Sequence, residues 1–478
     1  MSDHQHTRLE HQQRPTRQRL PRSASSRMKQ RQQDRWREWT KLTPARAALV
    51  VFTLMIAVFT ALLSLPAATL SGERTAFVDA LFTAVSAFCV TGLTTVDTAS
   101  HWSTFGLVVL IAAMKLGGLG LMTVASLLSI SVMHRLGLAQ RVHTAKETRA
   151  ERLAEVGGVL RTILITSTAF EMATFVALTP YMVVTEHGIG ESLFLGFFYA
   201  ISAFNNAGFV PEPAGTEQYL GDPFFTIPIA LAVMVGSLGF PVILVLVKKL
   251  RTPRRWSLHA KLTLVTTGLL LVIGYVGFLA MEWTNPATIG DRSVEVKLMS
   301  GLFATVMPRS GGFATLDIGA LTGEARLLME LLMFIGGGSG STAGGIRVTT
   351  FALLILSIWA EIRGNPDVEV FGRRIPHETI RQAIGVLVLA TAVVFAATFL
   401  LLRMTPYSLD ETLFESLSAF GTVGLSTGIT PNLPPDAKVV LIACMYVGRL
   451  GPMTLGAALA VRSRVRMVQL PQERPIVG

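Results

Sequence analysis

The sequence predicts an all-α membrane protein with eight transmembrane helices and four re-entrant pore helices, arranged as four repeats around one central pore. The chain has a mean hydropathy of +0.51 and only 15% charged residues, whereas soluble domains contain roughly 25%. Eight apolar runs reach the length of about 20 residues that crosses a bilayer. Four short segments that end in glycine recur between these runs at intervals of about 110 residues, the mark of an internal repeat.

The distribution of charge predicts how the chain is oriented. The chain has 42 Lys and Arg residues against 31 Asp and Glu residues. Most of the basic residues fall in the two termini and in the linkers 134–161, 248–261 and 361–381. The positive-inside rule therefore predicts a multi-pass protein of the inner (plasma) membrane with both termini and these three linkers in the cytoplasm. Acidic residues outnumber basic ones in the remaining external segments, where negative charge would concentrate cations.

Residues 1–44 differ in composition from the rest of the chain. They are basic, poor in apolar residues and rich in Arg, Gln, Ser and His, a composition that predicts a disordered cytoplasmic N-terminus. The basic stretch is too long for a signal peptide, and a full-length apolar run follows it. Nucleic-acid binding would also suit the positive charge, but the distribution of charge along the whole chain favours a solvated membrane anchor. We therefore predict no nucleic-acid partner.

Each predicted repeat has the form M1–P–M2, in which two spanning helices flank a pore helix. The repeats occupy residues 45–134, 135–249, 250–361 and 362–478, and the last one includes a short cytoplasmic tail. The apolar runs lie near residues 46–66, 104–133, 158–184, 223–247, 260–281, 326–360, 380–402 and 436–461.

The segment between M1 and M2 is too short to cross a membrane. The four copies are ALFTAVSAFCVTGL at 80–93, GFFYAISAFNNAGF at 196–209, GLFATVMPRSGGF at 301–313 and TLFESLSAFGTVGL at 412–425. This pattern is typical of a short helix that enters the membrane and a strand that leaves it. Irregular backbone at membrane depth must be buried in protein or line a wet cavity, and four such loops around one axis would line a pore.

The loop glycines predict a filter for a monovalent cation. Rings of backbone carbonyls replace the hydration shell of potassium in potassium channels, and glycine permits the required backbone conformation at little steric cost. Because only one glycine recurs in all four copies, we expect loose selectivity among potassium, rubidium and sodium. The predicted filter residues are Val90, Thr91, Gly92, Asn206, Ala207, Gly208, Ser310, Gly311, Gly312, Thr422, Val423 and Gly424.

A glycine cluster in the third M2 run predicts a gate. The sequence GGGSGSTAGGIR at 336–347 begins with four glycines in five residues, and each glycine disfavours a helix by about 1 kcal/mol relative to alanine. We expect two half-helices joined by a polar loop below the filter. A phosphate-binding loop is the alternative, but its Gly-Lys-Ser/Thr ending is absent. The predicted gate residues are Gly336, Gly337, Gly338, Ser339, Gly340, Ser341, Thr342, Ala343, Gly344, Gly345 and Arg449.

Charged residues at membrane depth are costly and mark functional positions. Arg449 would repel cations from the pore or pair with carbonyls of the 336–347 loop, and a purely structural pairing is the alternative. Lys115 would pair with Glu171 or tune the charge of the pore. Arg309 would brace the third filter loop through its carbonyls or through a nearby acid such as Glu415.

The sequence gives no support for an enzyme. It contains no set of nucleophile and base and no spacing typical of metal ligands. The two cysteines, Cys89 and Cys444, both lie at membrane depth and provide no disulfide framework. The glycine clusters at 117–120 and 236–239 are explained mostly by close packing of helices through small residues.

Several motifs resemble the Ktr/Trk/HKT superfamily of potassium transporters, and most closely its KtrB subunits, over roughly residues 45–465. They are VTGLTTVDT at 90–98, SAFNNAGF at 202–209, PRSGGF at 308–313, GGGSGSTAGGIRVTT at 336–350 and VGRLGPMTLG at 447–456.

The resemblance implies that Gly92, Gly208, Gly312 and Gly424 are the filter glycines, 336–347 the intramembrane gating loop and Arg449 the pore arginine. Glycine at position 92, where sodium-selective relatives carry serine, implies potassium as the transported ion. The resemblance also implies a homodimer in the lipid bilayer with one pore per subunit. A separate cytoplasmic ring of the RCK type, similar to KtrA, would bind nucleotide and regulate the pore.

Two features depart from the family pattern. Ser310 and Gly311 replace the common Thr-Ala of the third loop, and Lys115 replaces a polar, often Gln, residue. The function expected is potassium uptake through a gated pore. The alternatives are a sodium-coupled potassium symporter on the same fold and, more remotely, a membrane enzyme or scaffold.

Overall fold

The computed structural model describes residues 44–136, 149–185 and 188–451, in which nearly all regular secondary structure is helical. The predicted disordered tail, the second half of the last apolar run and the C-terminal tail lie outside these residues. The helices are α1 Pro44–Leu63, α2 Phe77–Cys89, α3 Thr98–His101, α4 Thr104–Leu136, α5 Arg149–Val184, α6 Ile189–Phe204, α7 Pro223–Leu238, α8 Phe240–Lys249, α9 Leu258–Glu282, α10 Val294–Val306, α11 Gly323–Phe334, α12 Val348–Ile362, α13 His377–Met404, α14 Leu409–Gly421 and α15 Pro435–Leu450. The strands are β1 Val368–Val370 and β2 Arg373–Ile375.

The four predicted pore segments all form short helices, α2, α6, α10 and α14, of 13 to 16 residues. The first residue of each helix is exposed. Side chains cap α10 and α14: Ser293 accepts from the amide of Val296, and Ser408 forms a reciprocal capping box with Glu411. Their C-terminal halves are buried on all sides, because even the small and polar residues there are excluded from solvent. Each helix therefore runs from the surface into the centre of the protein.

The longer helices surround the four short helices in a cyclic order. Helix α2 packs against α15, α6 against α4, α10 against α7, and α14 against α11. Each short helix also packs against the long helix that precedes it in the chain: α1, α5, α9 and α13 respectively. The last long helix, α15, thus contacts the first short helix, and the arrangement closes on itself.

Three helices in the described part of the chain are long and apolar enough to cross a membrane without interruption. They are Arg161–Val184, Leu258–Glu282 and His377–Met404. The pair α7 and α8 forms a fourth candidate span. Apolar side chains on the outer faces, such as Val272 on α9 and Phe395 on α13, are exposed, and this surface suits lipid better than water.

The run at 223–247 was expected to be one span, but the structure bends it by 103° between α7 and α8. Gly239 lies at the bend with a φ of 91°, a conformation that side chains rarely adopt. A Cβ built on Gly239 would lie 2.6 Å from the carbonyl oxygen of Ser339. The helix-packing interpretation was therefore wrong for Gly239, because this glycine permits a break against the 336–347 loop.

A small β-hairpin in the linker 361–381 was not predicted. Strands β1 and β2 pair antiparallel, and Phe371 and Gly372 both have positive φ at the turn, as two-residue hairpins require. Val368 and Ile375 are buried against α12 and α13. This apolar contact explains why an otherwise polar linker folds.

Candidate functional site

The predicted filter glycines are neighbours in one ring. A Cβ built on Gly92 would lie 3.2 Å from the Cα of Gly208, and one built on Gly208 would lie 2.8 Å from the Cα of Gly312. A Cβ on Gly424 would lie 3.1 Å from the Cα atoms of both Gly312 and Gly92. Four loops therefore meet around a common point, and no side chain fits at any of the four glycines.

Main-chain oxygens face the positions where these side chains would be. In each case the oxygen belongs to the residue that precedes a ring glycine in a neighbouring loop. A Cβ built on Gly92 would lie 2.3 Å from the carbonyl oxygen of Ala207. The corresponding distances are 2.4 Å from Gly312 to the Val423 oxygen and 2.2 Å from Gly424 to the Thr91 oxygen.

These carbonyl groups have no hydrogen-bond donor within the described residues. No such bond reaches the carbonyl oxygens of Thr91, Ala207, Gly311 or Val423. Buried backbone carbonyls are nearly always paired, so four unpaired ones at the same position of four loops form an unusual cluster. Each of these carbonyl oxygens is the negative end of a dipole and can coordinate a cation.

The backbone of each filter loop alternates in conformation. Five non-glycine residues have positive φ in the described part of the chain, and four of them begin the predicted filter tripeptides: Val90 at 57°, Asn206 at 61°, Ser310 at 69° and Thr422 at 46°. The ring glycines also have positive φ, whereas the middle residues do not. Because reversing the sign of φ rotates the peptide plane, this alternation turns successive carbonyls toward one side. Such strain is typical of functional sites.

Serines of the short helices hold two of these loops from behind. The amide of Gly92 donates to Ser86 Oγ at 3.0 Å, and the amide of Gly424 donates to Ser418 Oγ at 3.1 Å. The short helices end directly before the loops, so their negative dipole ends also point at the ring. Both features favour a positive charge at the centre.

The predicted gate loop separates two half-helices, as its glycine content predicts. Helix α11 ends at Phe334 and α12 begins at Val348. Backbone bonds tie the loop to the bend of α7 and α8: the amide of Gly338 donates to the Ser237 carbonyl at 2.7 Å, and the amide of Phe240 donates to the Gly340 carbonyl at 3.1 Å.

The same loop lies against the predicted filter. Ser310 Oγ donates to the Gly421 carbonyl at 3.0 Å and accepts from the amide of Gly344 at 3.4 Å. A Cβ built on Gly344 would lie 2.3 Å from Thr422 Oγ1. The predicted gate and two of the four predicted filter loops are therefore in direct contact.

Arg449 is fully buried and joins this loop to a distant helix. Its guanidinium donates to the carbonyl oxygen of Thr342 and, at 2.9 Å, to the carbonyl oxygen of Gly117 in α4. The expected pairing with carbonyls of the 336–347 loop is present. The contact with Gly117 was not predicted.

Glycines in three long helices allow the short helices to approach closely, as the packing interpretation predicts for Gly117 and Gly236. A Cβ at these positions would clash with the carbonyl oxygen of a phenylalanine near the end of the short helix. The distances would be 2.0 Å for Gly117 and Phe88, 2.1 Å for Gly236 and Phe204, and 1.9 Å for Gly448 and Phe420.

Arg309 was predicted to brace the third filter loop through the carbonyls of that loop or through Glu415, and neither contact is present among the described residues. Its guanidinium donates to the carbonyls of Gly336 at 3.3 Å and Thr267 at 3.4 Å. Glu415 is instead fully buried by the segment that follows Gly424 and accepts from Ser426, Thr427 and Thr430.

Two contacts involve charged residues near the site. Lys115 contacts Glu171 across α4 and α5, which is one of the two predicted roles. Arg347 ends the glycine motif and was not predicted as a site residue. It donates to the Ala343 carbonyl and to Ser341 Oγ within the loop. The sequence signal that could have identified it is its position, because a charged residue at the end of a predicted intramembrane glycine loop marks a functional position. The described residues contain no group of three or more His, Cys, Asp or Glu side chains that could hold a metal ion.

Comparisons with known proteins show which proteins the chain resembles. A family model described as "TrkH: Cation transport protein" matches residues 28–467. The chain is 36% identical to Ktr system potassium uptake protein B of Bacillus subtilis, over 88% of this chain and 94% of that protein. It is 35% identical to the protein of the same name from Vibrio alginolyticus, over 91% and 94%.

Two further comparisons concern one more relative and one solved structure. The chain is 33% identical to the potassium/sodium uptake protein NtpJ of Enterococcus hirae, over 88% of this chain and 94% of that protein. The crystal structure of the potassium transporter TrkH from Vibrio parahaemolyticus superposes with a TM-score of 0.69, covering 88% and 86% of the two chains at 18% identity. At that identity the superposition establishes the fold alone. With a family model that covers most of its length and relatives above 30% identity, this chain belongs to the TrkH family of cation transport proteins.

Proposed function

We propose that this protein takes up potassium across the inner (plasma) membrane through a gated pore with a backbone-carbonyl filter. One observation carries the proposal: four buried carbonyl oxygens have no donor among the described residues and directly precede four glycines that meet in a ring. They belong to Thr91, Ala207, Gly311 and Val423. A dehydrated cation supplies the positive partner that these oxygens need, and the ring supplies the oxygens that replace its water.

The chemistry of the ring favours a monovalent ion. The predicted filter residues include no carboxylate, whereas calcium sites use several carboxylates and magnesium sites at least one or two. Neutral carbonyl dipoles bind a singly charged ion firmly enough to enter and weakly enough to leave. The relatives named potassium uptake proteins favour potassium, and the relative named a potassium/sodium uptake protein makes sodium the second candidate.

The architecture proposed is four M1–P–M2 repeats on one chain around one pore, with the boundaries 45–134, 135–249, 250–361 and 362–478. Support comes from the cyclic packing, in which each short helix contacts a long helix assigned to the preceding repeat. It also comes from the shared positive φ at the first position of all four loops. The orientation with both termini in the cytoplasm rests on the distribution of basic residues.

The gate proposed is the 336–347 loop together with Arg449. The loop contacts the filter at Ser310 and Thr422 and is held by the bend at Gly239. Arg449 adds a buried positive charge to the Thr342 carbonyl, and such a charge beside the pathway opposes cation passage. Movement of the loop away from the filter would open the pathway.

The partners proposed are a second copy of the chain and a cytoplasmic ring of the RCK type, similar to KtrA, that binds nucleotide. The name of the relatives, protein B of a Ktr system, supports a further subunit. The ring would act on the cytoplasmic side, where the basic linkers are expected to lie.

Ion flux into liposomes tests the function. Purified protein in vesicles loaded with potassium should take up a rubidium tracer driven by the potassium gradient, and empty vesicles measured in parallel provide the control. Potassium-selective flux that persists without sodium supports the passive pore. Flux that requires sodium on the same side supports the symporter, and absence of any monovalent cation flux, with and without the regulatory ring, contradicts both.

A further inference from the structure

A charged pair lies close to the second filter loop. Lys115 on α4 contacts a carboxylate oxygen of Glu171 on α5, and its Nζ lies 3.4 Å from Ser167 Oγ. The side chains are 21% and 8% exposed. A cavity of about 340 Å³ beside the pair is otherwise lined mostly by apolar side chains. In such surroundings each charge depends strongly on its partner.

Glu171 also reaches the chain just before the filter. Its second carboxylate oxygen accepts a hydrogen bond from Asn205 Nδ2 at 2.9 Å. The same Nδ2 donates to the carbonyl of Ile201 at 2.9 Å, so one amide group bridges a neighbouring helix and its own helix. Asn205 is 1% exposed and directly precedes Asn206, the first residue of the second filter loop.

Helix α4 also approaches Asn205 directly. A Cβ built on Gly118 would lie 2.1 Å from Asn205 Oδ1, and Gly118 lies three positions after Lys115, on the same side of the helix. Asn205 is therefore held between the backbone of α4 and the carboxylate that Lys115 on α4 contacts. Its side chain has little freedom to change position.

The second filter loop transmits its position to two others. The open side of Gly92 faces the carbonyl oxygen of Ala207, and that of Gly208 faces Gly312. A shift of the Asn206–Gly208 strand would change the spacing of carbonyl oxygens across much of the ring. Discrimination between potassium and sodium depends on this spacing and on how firmly the oxygens are held.

We propose that the Lys115–Glu171 pair is a selectivity-determining element: it positions the second filter loop through Asn205. The inference rests on the proposed function and deepens it. Lys115 balances the charge of Glu171 in these mostly apolar surroundings, Glu171 fixes the Asn205 amide, and Asn205 fixes the start of the loop. The three are positioning residues, since none of them provides a predicted coordinating oxygen.

Two double variants separate the charge from the hydrogen bond. Lys115→Met with Glu171→Gln removes both charges but keeps an oxygen that accepts from Asn205. Lys115→Met with Glu171→Leu removes the acceptor as well. The readout is the ratio of potassium to sodium permeability from reversal potentials in planar bilayers, because this ratio does not depend on the amount of folded protein.

We expect the double variant with Glu171→Gln, the Gln variant, to stay within about twofold of the wild-type permeability ratio. The double variant with Glu171→Leu, the Leu variant, should lower this ratio by about threefold or more, the scale of coupling between contacting residues. Asn205→Ala, which leaves the ion pair intact, should reproduce the shift of the Leu variant. Adding Asn205→Ala to the Leu variant should cause no further shift.

The matched control is the ion pair between Lys438 on α15 and Asp79 on α2, which has an N–O distance of 2.8 Å and exposures of 11% and 21%. Lys438→Met with Asp79→Asn should leave the ratio unchanged. A wild-type permeability ratio in both the Leu variant and Asn205→Ala would overturn the inference. It would also be overturned if combining Asn205→Ala with the Leu variant added the two shifts in this ratio. A wild-type protein without selective flux would instead contradict the proposed function.

Discussion

Arg449 donates a hydrogen bond to the main-chain oxygen of Thr342, a residue 107 positions earlier in the chain. The same guanidinium reaches Gly117 on α4. Arg449 is fully buried, so these carbonyls replace water around its charge. The contact fixes a positive charge on the 336–347 loop, and the first prediction follows from it.

Replacement of Arg449 by alanine should raise cation flux or alter its regulation by the proposed cytoplasmic partner. The variant removes the buried charge and leaves the carbonyls of Thr342 and Gly117 without their donor. Arg449→Lys keeps the charge but cannot bridge two acceptors with a planar fork, so its flux should be intermediate. Tracer uptake into liposomes measures all three proteins, and wild-type uptake by Arg449→Ala would leave Arg449 a structural residue.

Deletion of residues Ser339–Thr342 should raise flux, because it removes the middle of the loop that lies against the filter. Thr342→Ala is the matched control. Arg449 contacts the carbonyl of Thr342, and the Thr342 hydroxyl has no hydrogen-bond partner in the described part of the chain. The control should therefore transport like wild type. Reduced flux in a deletion variant that elutes as a folded protein would argue against a gate.

Gly92→Ser should admit sodium more readily and lower total flux. A Cβ at this position would lie 2.3 Å from the Ala207 carbonyl oxygen, on a backbone with a φ of 93°, so the ring must widen or distort. A Cβ built on Gly268 of α9 would have no heavy atom of the described residues within 4 Å apart from its chain neighbours and the local helix backbone, so Gly268→Ser serves as the control. Reversal potentials test the pair, and an unaltered potassium preference in Gly92→Ser would count against the filter assignment.

Glu415→Gln should destabilise the folded protein by about 1–3 kcal/mol, the cost of leaving buried polar groups unsatisfied. The fully buried carboxylate accepts from Ser426, Thr427 and Thr430, and an amide nitrogen cannot accept. Glu411→Gln, a change at a half-buried position at the start of the same helix, should stay within about 0.5 kcal/mol, because glutamine can also serve in a capping box. Thermal unfolding in detergent compares the two variants, and equal midpoints would contradict the assigned role of Glu415.

Stability should fall as the pH drops below the ordinary histidine value of 6.5, partly because of His101. Partial burial lowers the pKa of His101, although the charges of Asp79 and Asp97 oppose the shift. A histidine with a lowered pKa in the folded state takes up its proton more readily when unfolded, so acid favours unfolding. His101→Gln should show a weaker pH dependence of its unfolding temperature than wild type. An identical dependence would assign the effect to other groups.

Sequence reasoning found the residues of the candidate site because they repeat. Gly92, Gly208, Gly312 and Gly424 end similar segments, and four copies of a weak signal make a strong one. The break at 336–347 was also predictable, since it depends on local helix propensity. These features are encoded within a few residues of the position that they determine.

Features that depend on distant parts of the chain were missed. Val90 and Thr422 have no local signal for positive φ, because the conformation is imposed by packing in the ring. The bend at Gly239 depends on a carbonyl of Ser339, about one hundred residues later, and resembled ordinary helix packing in the sequence. Arg449 binds Gly117, which precedes it by 332 residues. Only the folded chain brings such partners together.

The four glycines at the centre belong to one polypeptide, and this has a consequence for mutation. In an assembly of four identical subunits, one altered codon changes all four quadrants together. Here it replaces a side chain in one quadrant, and the other three keep their own residues. The middle positions of the loops already differ, as Thr91, Ala207, Gly311 and Val423, so inherited variation can alter the predicted filter one quadrant at a time.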